Sequence, residues 1–215
     1  MVDTGAVSRR LHPLHVLSGA LAIGVLAAAC SSSGYSYVKN SDDRTYFKVP
    51  DQWTIFDEDA LTEDLAPRER DTARETSWQV GFDASPKPSL RHLLDVKSKH
   101  PTGFAVVQEL DFDAADTISL MGLRNAFFDV DAAVQNQAGE IVGYEPIELD
   151  GGFHGFHLVA DLVTDSGRTV TLDQTTLLDQ ATSKMYALIV TCEATCYEDN
   201  ADKIDRVVSS WTVED

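Results

Sequence analysis

From residue 45 onward the chain alternates between two hydrophobic rhythms, one of period two and one of three to four. Thr45 to Val49 points Phe47 and Val49 one way and Tyr46 and Lys48 the other, which predicts a short strand. Pro50-Asp51-Gln52 interrupts it, and Trp53-Thr54-Ile55-Phe56 resumes an extended pattern. Ser77–Phe82 alternates again, and Gly103–Phe112 predicts another strand. Four further strand-like runs follow, Ile141–Leu149, Phe153–Thr164, Thr169–Leu178 and Met185–Thr191. Between them stand Asp150-Gly151-Gly152, Asp165-Ser166-Gly167 and Gln180-Ala181-Thr182-Ser183. Those are hairpin connections, so the runs they join must be antiparallel.

The longer rhythm marks helices. Asp57 is placed to cap a short helix through Leu65, while Ala66–Glu75 is nearly all charged or small and predicts a solvated helix or loop. Leu120, Leu123, Phe127, Val130 and Val134 form one apolar stripe, which predicts a helix from Asp116 through Val130 lying on the sheet. Tyr197–Ser210 predicts another, with Ile204, Val207 and Val208 inward and Trp211-Thr212-Val213 after it. Two strong helices flanking an antiparallel meander make an α+β layered domain.

Ahead of the domain, Val16–Ala29 is a run of fourteen uncharged, mostly apolar or small residues. A membrane-spanning helix needs about 20 apolar residues. The run is too short for that, and with Arg9-Arg10 before it and three alanines at its end it fits an export signal. Cys30, directly after those alanines, resembles the cysteine of a bacterial lipobox, although the motif's usual leucine is Ala27 here and the nearest is Leu26. The resemblance implies that residues 1–29 are a signal peptide and that lipid on Cys30 holds the protein to the outer face of the cell membrane. Twin-arginine export through Ser8-Arg9-Arg10-Leu11 and an uncleaved N-terminal anchor are the alternatives. Residues 30–44 read as a flexible tether opening with Ser31-Ser32-Ser33-Gly34, and residues 45–215 as a single domain.

Charge narrows the partners. The chain carries 17 Lys and Arg against 35 Asp and Glu, a net of −18. Nucleic acid would be repelled, and so would anionic headgroups close to the domain. Hydrophobic residues at 43% speak against wholesale disorder. The one basic stretch of the domain, Ser85–Pro101, holds Lys87, Arg91, Lys97 and Lys99 against Asp95. It reads as a solvated loop with a short helix, Ser89–Leu94, packing Leu90, Leu93 and Leu94; contact with anionic lipid or wall polymer is the alternative. If Cys30 carries lipid, Cys192 and Cys196 remain as a pair that an exported protein can keep as a structural disulfide. Two thiols without His or Cys neighbours make a poor zinc site, and the C-x-x-C spacing of redox enzymes is absent.

With that layout in place, Phe47-Lys48-Val49-Pro50-Asp51-Gln52-Trp53 resembles the F-x-V-P-x-x-W opening of the Mog1/PsbP-like superfamily. Ser209-Ser210-Trp211-Thr212-Val213 is similar to the way actinobacterial lipoproteins of that kind close, and the resemblance covers roughly residues 45–213. It implies an α/β/α sandwich with a curved central antiparallel sheet. It carries no catalytic residue over, because the superfamily's scaffolds and binding proteins supply none. The Cys192/Cys196 pair is not part of its general pattern.

Motifs with chemistry are few. Asp165-Ser166-Gly167 matches half of an aspartic-protease pair, but one copy between strands is a hairpin turn. His154 and His157 are three apart on a strand, which sends them to opposite faces rather than to one metal. Asp111-Phe112-Asp113 and Asp129-Val130-Asp131 begin like calcium loops but have Asp116 and Val134 where the glycine belongs. No G-x-S-x-G, phosphate-cradling loop or dinucleotide fingerprint occurs. No catalytic residue, metal or cofactor is therefore assigned. The expectation is a non-enzymatic envelope protein binding a protein or a small or lipidic ligand, with a hydrolase of envelope material or an accessory subunit of a membrane complex as alternatives. The aromatic hairpin at Phe153, His154, Phe156 and His157 is the expected contact site.

Overall fold

A computed structural model describes residues 34–94 and 98–214. The export segment, the Arg9-Arg10 pair and Cys30 lie outside the described residues. Two antiparallel sheets form the framework. The smaller consists of β1 (Tyr35–Asn40), β2 (Thr45–Pro50) and β10 (Thr212–Val213), in the order β1-β2-β10. The larger holds β3 (Thr54–Phe56), β4 (Ser77–Asp83), β5 (Thr102–Glu109), β6 (Gly139–Glu148), β7 (His154–Val163), β8 (Thr169–Leu178) and β9 (Lys184–Glu193). Its order is β3-β4-β5-β9-β8-β7-β6. The three predicted hairpins are all present, and β6 through β9 pair antiparallel, with β8 spanning the predicted residues.

Each face of the large sheet buries its own core. On one, Leu188, Val190 and Cys192 of β9 meet Ile204 and Val207 of α7 (Ala194–Val208), together with Phe47, Val49 and Trp53. On the other, Ile189, Leu172, Leu158 and Phe156 meet Leu123 of α5 (Leu120–Arg124) and Val130 of α6 (Val130–Gln135). The period of two sorts these residues between the faces. Helices therefore lie on both sides of an antiparallel sheet, and the smaller sheet shares a face with α7. The Phe-x-Val-Pro-x-x-Trp stretch fastens the two sheets, with Phe47 and Trp53 ring centroids 6.1 and 5.8 Å from that of Phe82. Burying aromatic rings of this size dominates the energetics of such a junction.

Four expectations change. Tyr35–Asn40, read as tether, is a strand paired with β2 from Tyr35↔Pro50 to Asn40↔Thr45. Val38 enters the core, and the Asn40 side chain accepts from the amides of Asp42 and Asp43, closing the turn. The helix expected over Asp116–Val130 is three short ones: α4 (Phe112–Thr117), α5 and α6. Asp111, Ser119 and Asp129 each accept an amide from the turn that follows and so start a new helix. Leu123 of α5 and Val130 at the start of α6 are still fully buried in the same core, while Leu120 and Val134 at the ends of the stripe are exposed. The strand expected over Gly103–Phe112 stops at Glu109, since Asp111 caps α4 and leaves Phe112 exposed.

The fourth change concerns the basic stretch. Its short helix α3 (Leu90–Leu93) forms with Ser89 as cap, but Leu94 is exposed instead of packed. Asp57 caps α1 (Glu58–Leu61), and α2 (Pro67–Thr76) buries no residue, in line with its composition.

Candidate functional site

The sheet face under α7 gathers the acid–base groups. The middle of β8 sits between β7 and β9, and Asp173 there is only 3% exposed. Its carboxylate is held from both sides: His157 Nε2 lies 2.8 Å from Oδ1, and the Tyr197 hydroxyl donates to Oδ2 at 2.6 Å. His157 comes from β7, on the same face two residues out of register, and Tyr197 from the first turns of α7. A buried carboxylate needs such partners, since an unpaired one costs several kcal/mol, on the order of the whole stability of a domain.

The electrostatics follow from this arrangement. The bond to Asp173 holds the His157 imidazole above its ordinary pKa; burial works against the shift, and the charges of Asp173, Glu145 and Asp205 add to it. Burial first, and then the Asp173 charge, push the Tyr197 hydroxyl well above the usual phenol range, so it stays a donor. His157 also lines a groove of about 330 Å³. Ile147 of β6, Leu149 just after that strand and Leu177 of β8 line it. Val208 at the end of α7, Trp211 in the turn after it and Val213 of β10 line it as well, with Glu145, Thr175 and Ser209 as polar points. A neighbouring concavity of about 400 Å³ shares Leu149, Trp211 and Val213 and adds Asp150, Thr212 and Glu214. These volumes lie at the lower end of small-ligand pockets, and both concavities open to solvent.

The groove exists because α7 is too short to cover the whole face. It ends at Val208, and the chain turns through Ser209-Ser210 into β10, which pairs with β2 rather than with the large sheet. The indole of Trp211 donates to Thr45 Oγ1 at 2.9 Å, which fixes that turn.

The hairpin expected to make contacts is divided by the sheet. His157 reaches the groove. Phe153 is buried edge-on against Tyr186 at 5.6 Å, and Phe156 is fully buried on the opposite face, stacked on Tyr144 at 5.6 Å. His154, an odd number of residues from His157, lies across the strand, 3.2 Å from the Gly152 carbonyl oxygen. Asp165-Ser166-Gly167 is the β7–β8 turn, with Gly167 at φ +75°. Asp111 and Asp129, which begin the two calcium-like segments, are spent on helix caps. Among the described residues no group of three or more His, Cys, Asp or Glu comes together to hold a metal.

Two features were readable but not singled out. Asp173 is a charge inside a run that must be a central strand, and Tyr197 precedes Ile204 by seven and so lies on the helix's inward stripe. A second buried carboxylate, Asp83, accepts the amides of Ser85 and Ser89 at 2.8 and 2.9 Å and lies 2.7 Å from His92 Nδ1. This shapes the start of the basic loop. Cys192 and Cys196 are joined as a disulfide between the end of β9 and the first turn of α7.

Neither a family model nor a curated protein matches the chain. Among solved structures it is similar to the cyanobacterial PsbP of Synechocystis sp. PCC 6803, at 15% identity and TM-score 0.49, covering 92% of this chain and 99% of that one. It is also similar to LpqN of Mycobacterium tuberculosis, described as involved in cell envelope biogenesis, at 15% identity and TM-score 0.46, covering 84% and 91%. The Saccharomyces cerevisiae Ran-binding protein Mog1p matches at 14% identity and TM-score 0.44, covering 83% and 95%. At such identities and scores, no site or ligand passes from these proteins to this chain.

Proposed function

We propose that this chain is a lipid-anchored extracytoplasmic protein without catalytic activity of its own, whose domain binds a protein or small apolar ligand in the groove beside α7. The groove carries the binding half of the reading. Its lining is largely aliphatic and aromatic, with Glu145, His157, Thr175 and Ser209 as the few polar groups that orient an occupant. The anchoring half is supported by Arg9-Arg10, the Val16–Ala29 run and Cys30 in the sequence, and by a disulfide suited to an oxidising compartment. His157 and His92 each face a buried aspartate, which is half of a nucleophile-activating relay. A Ser, Thr or Cys side chain hydrogen-bonded to either ring would complete such a relay and favour the alternative reading, a hydrolase.

Photocrosslinking tests the binding half. Benzoylphenylalanine at the exposed Leu149 of the full chain, irradiated in cells, should give a discrete adduct, whereas the same group at exposed Phe112 should not. Equal adducts at both positions, or none at 149, would remove the groove from the account.

A further inference from the structure

The two concavities share Leu149, Trp211 and Val213, and apart from His157, whose ring is paired with Asp173, the charged side chains on them are acidic. Glu145, Asp150 and Glu214 are exposed carboxylates there, and among the described residues neither Lys nor Arg lines either concavity. Between these acids run the apolar side chains of Ile147, Leu149 and Trp211. Leu149 is 42% exposed, a large aliphatic group held in water at the junction of the two. An apolar strip bordered by carboxylates is complementary to an apolar segment flanked by cations.

We infer that the occupant of this groove is a segment of a partner protein in which aliphatic or aromatic side chains are flanked by Lys or Arg. The inference rests on the binding reading above and gives it a partner class. The same charges disfavour the rival occupants. An anionic amphiphile would bring its headgroup against Glu145, Asp150 and Glu214, and a second copy of a chain with net charge −18 would be repelled as a whole. Each concavity, at about 330 and 400 Å³, has room for a few side chains, not for a large ligand. The aromatic or aliphatic anchors supply affinity, and the flanking cations supply orientation and rate.

The test uses the full chain in zwitterionic phosphatidylcholine nanodiscs, with empty nanodiscs as background. Three fluorescent synthetic peptides are titrated by anisotropy: Lys-Val-Trp-Val-Lys, its glutamate-flanked counterpart, and a lysine-flanked Ser-Gly-Ser control. The first should bind, more weakly as salt rises, and the other two should not. Glu145 and Asp150 make no hydrogen bond through their side chains among the described residues, so Glu145→Lys/Asp150→Lys should leave the fold intact. That variant should lower affinity for the first peptide by about fivefold, the order expected for two exposed charge pairs. Leu149→Ser should lower it without changing its salt dependence.

Absence of binding by the lysine-flanked apolar peptide would overturn the inference, as would equal binding of the glutamate-flanked one. If in addition the adduct at position 149 has the mass of a lipid or of a second copy, the partner class falls while the groove stands. If no adduct forms there at all, the binding reading falls with it.

Discussion

Tyr197 of α7 and His157 of β7 hold opposite oxygens of the same buried carboxylate, Asp173 on β8. The helix is thereby tied to the sheet by a polar bond at one end of the groove, while Ile204 and Val207 tie it by packing further along. The disulfide between Cys192 and Cys196 makes a third tie at the start of the helix.

Removing the hydroxyl isolates its contribution. Tyr197→Phe leaves Oδ2 of Asp173 without this donor in a site 3% exposed, and should destabilise the protein by about 1–3 kcal/mol. Urea unfolding at neutral pH measures the loss; an unchanged midpoint would mean that water replaces the phenol.

The His157 bond gives stability a pH dependence of definite sign. The folded state raises the pKa of His157, mainly through Asp173, so the folded state favours the protonated ring. That contribution is fully present below the unfolded value of about 6.5 and is lost as pH rises through the higher folded value. Urea midpoints of the parent chain should therefore fall across this window relative to His157→Gln, which lacks the group. Parallel curves for the two would refute the coupling.

Reducing the disulfide opens a loop of only five residues, Cys192 to Cys196. The chain-entropy account gives about 2 kcal/mol for so small a loop. Unfolding with and without a phosphine reductant should show a loss of this size, and alkylation of both cysteines without reductant would show that the pair is free.

Glycines on β7 and β6 make a paired test of the packing around His157. A Cβ on Gly155 would overlap the Thr176 carbonyl oxygen, whereas one on Gly143 would meet only Val159 at 3.8 Å. Gly155→Ala should cost about 1–3 kcal/mol by overpacking, and Gly143→Ala should stay within about 0.5 kcal/mol of the parent. Thermal melts of the two decide it.

Much of the layout was legible because period two survives in long strands: the β6–β9 meander and its three turns follow from alternation and turn residues alone. The Asp116–Val130 stripe misled about continuity. The repeat marks Leu123 and Val130, which do face the core, but also Leu120 and Val134, which are exposed, and it carries no sign of the caps at Ser119 and Asp129 that divide the stretch into short helices. The strand at Tyr35–Asn40 was hidden by its polar composition, since only Val38 and Asn40 are buried and its partner β2 supplies the rest. The site was half legible. His157 was named, but Asp173 and Trp211 are brought to it by strand pairing and by the turn after α7, which no local pattern encodes.

Everything proposed about partners presupposes that the domain works at the outer face of the membrane, and that location rests on Cys30. Lipid chains on and around that cysteine would supply more than the single acyl chain that gives only marginal binding. Mass spectrometry of protein from the membrane fraction tests it directly. The account predicts a mature N-terminal peptide that begins at Cys30 and carries diacylglyceryl mass. An intact peptide running through Ala29-Cys30 with an unmodified thiol would contradict it.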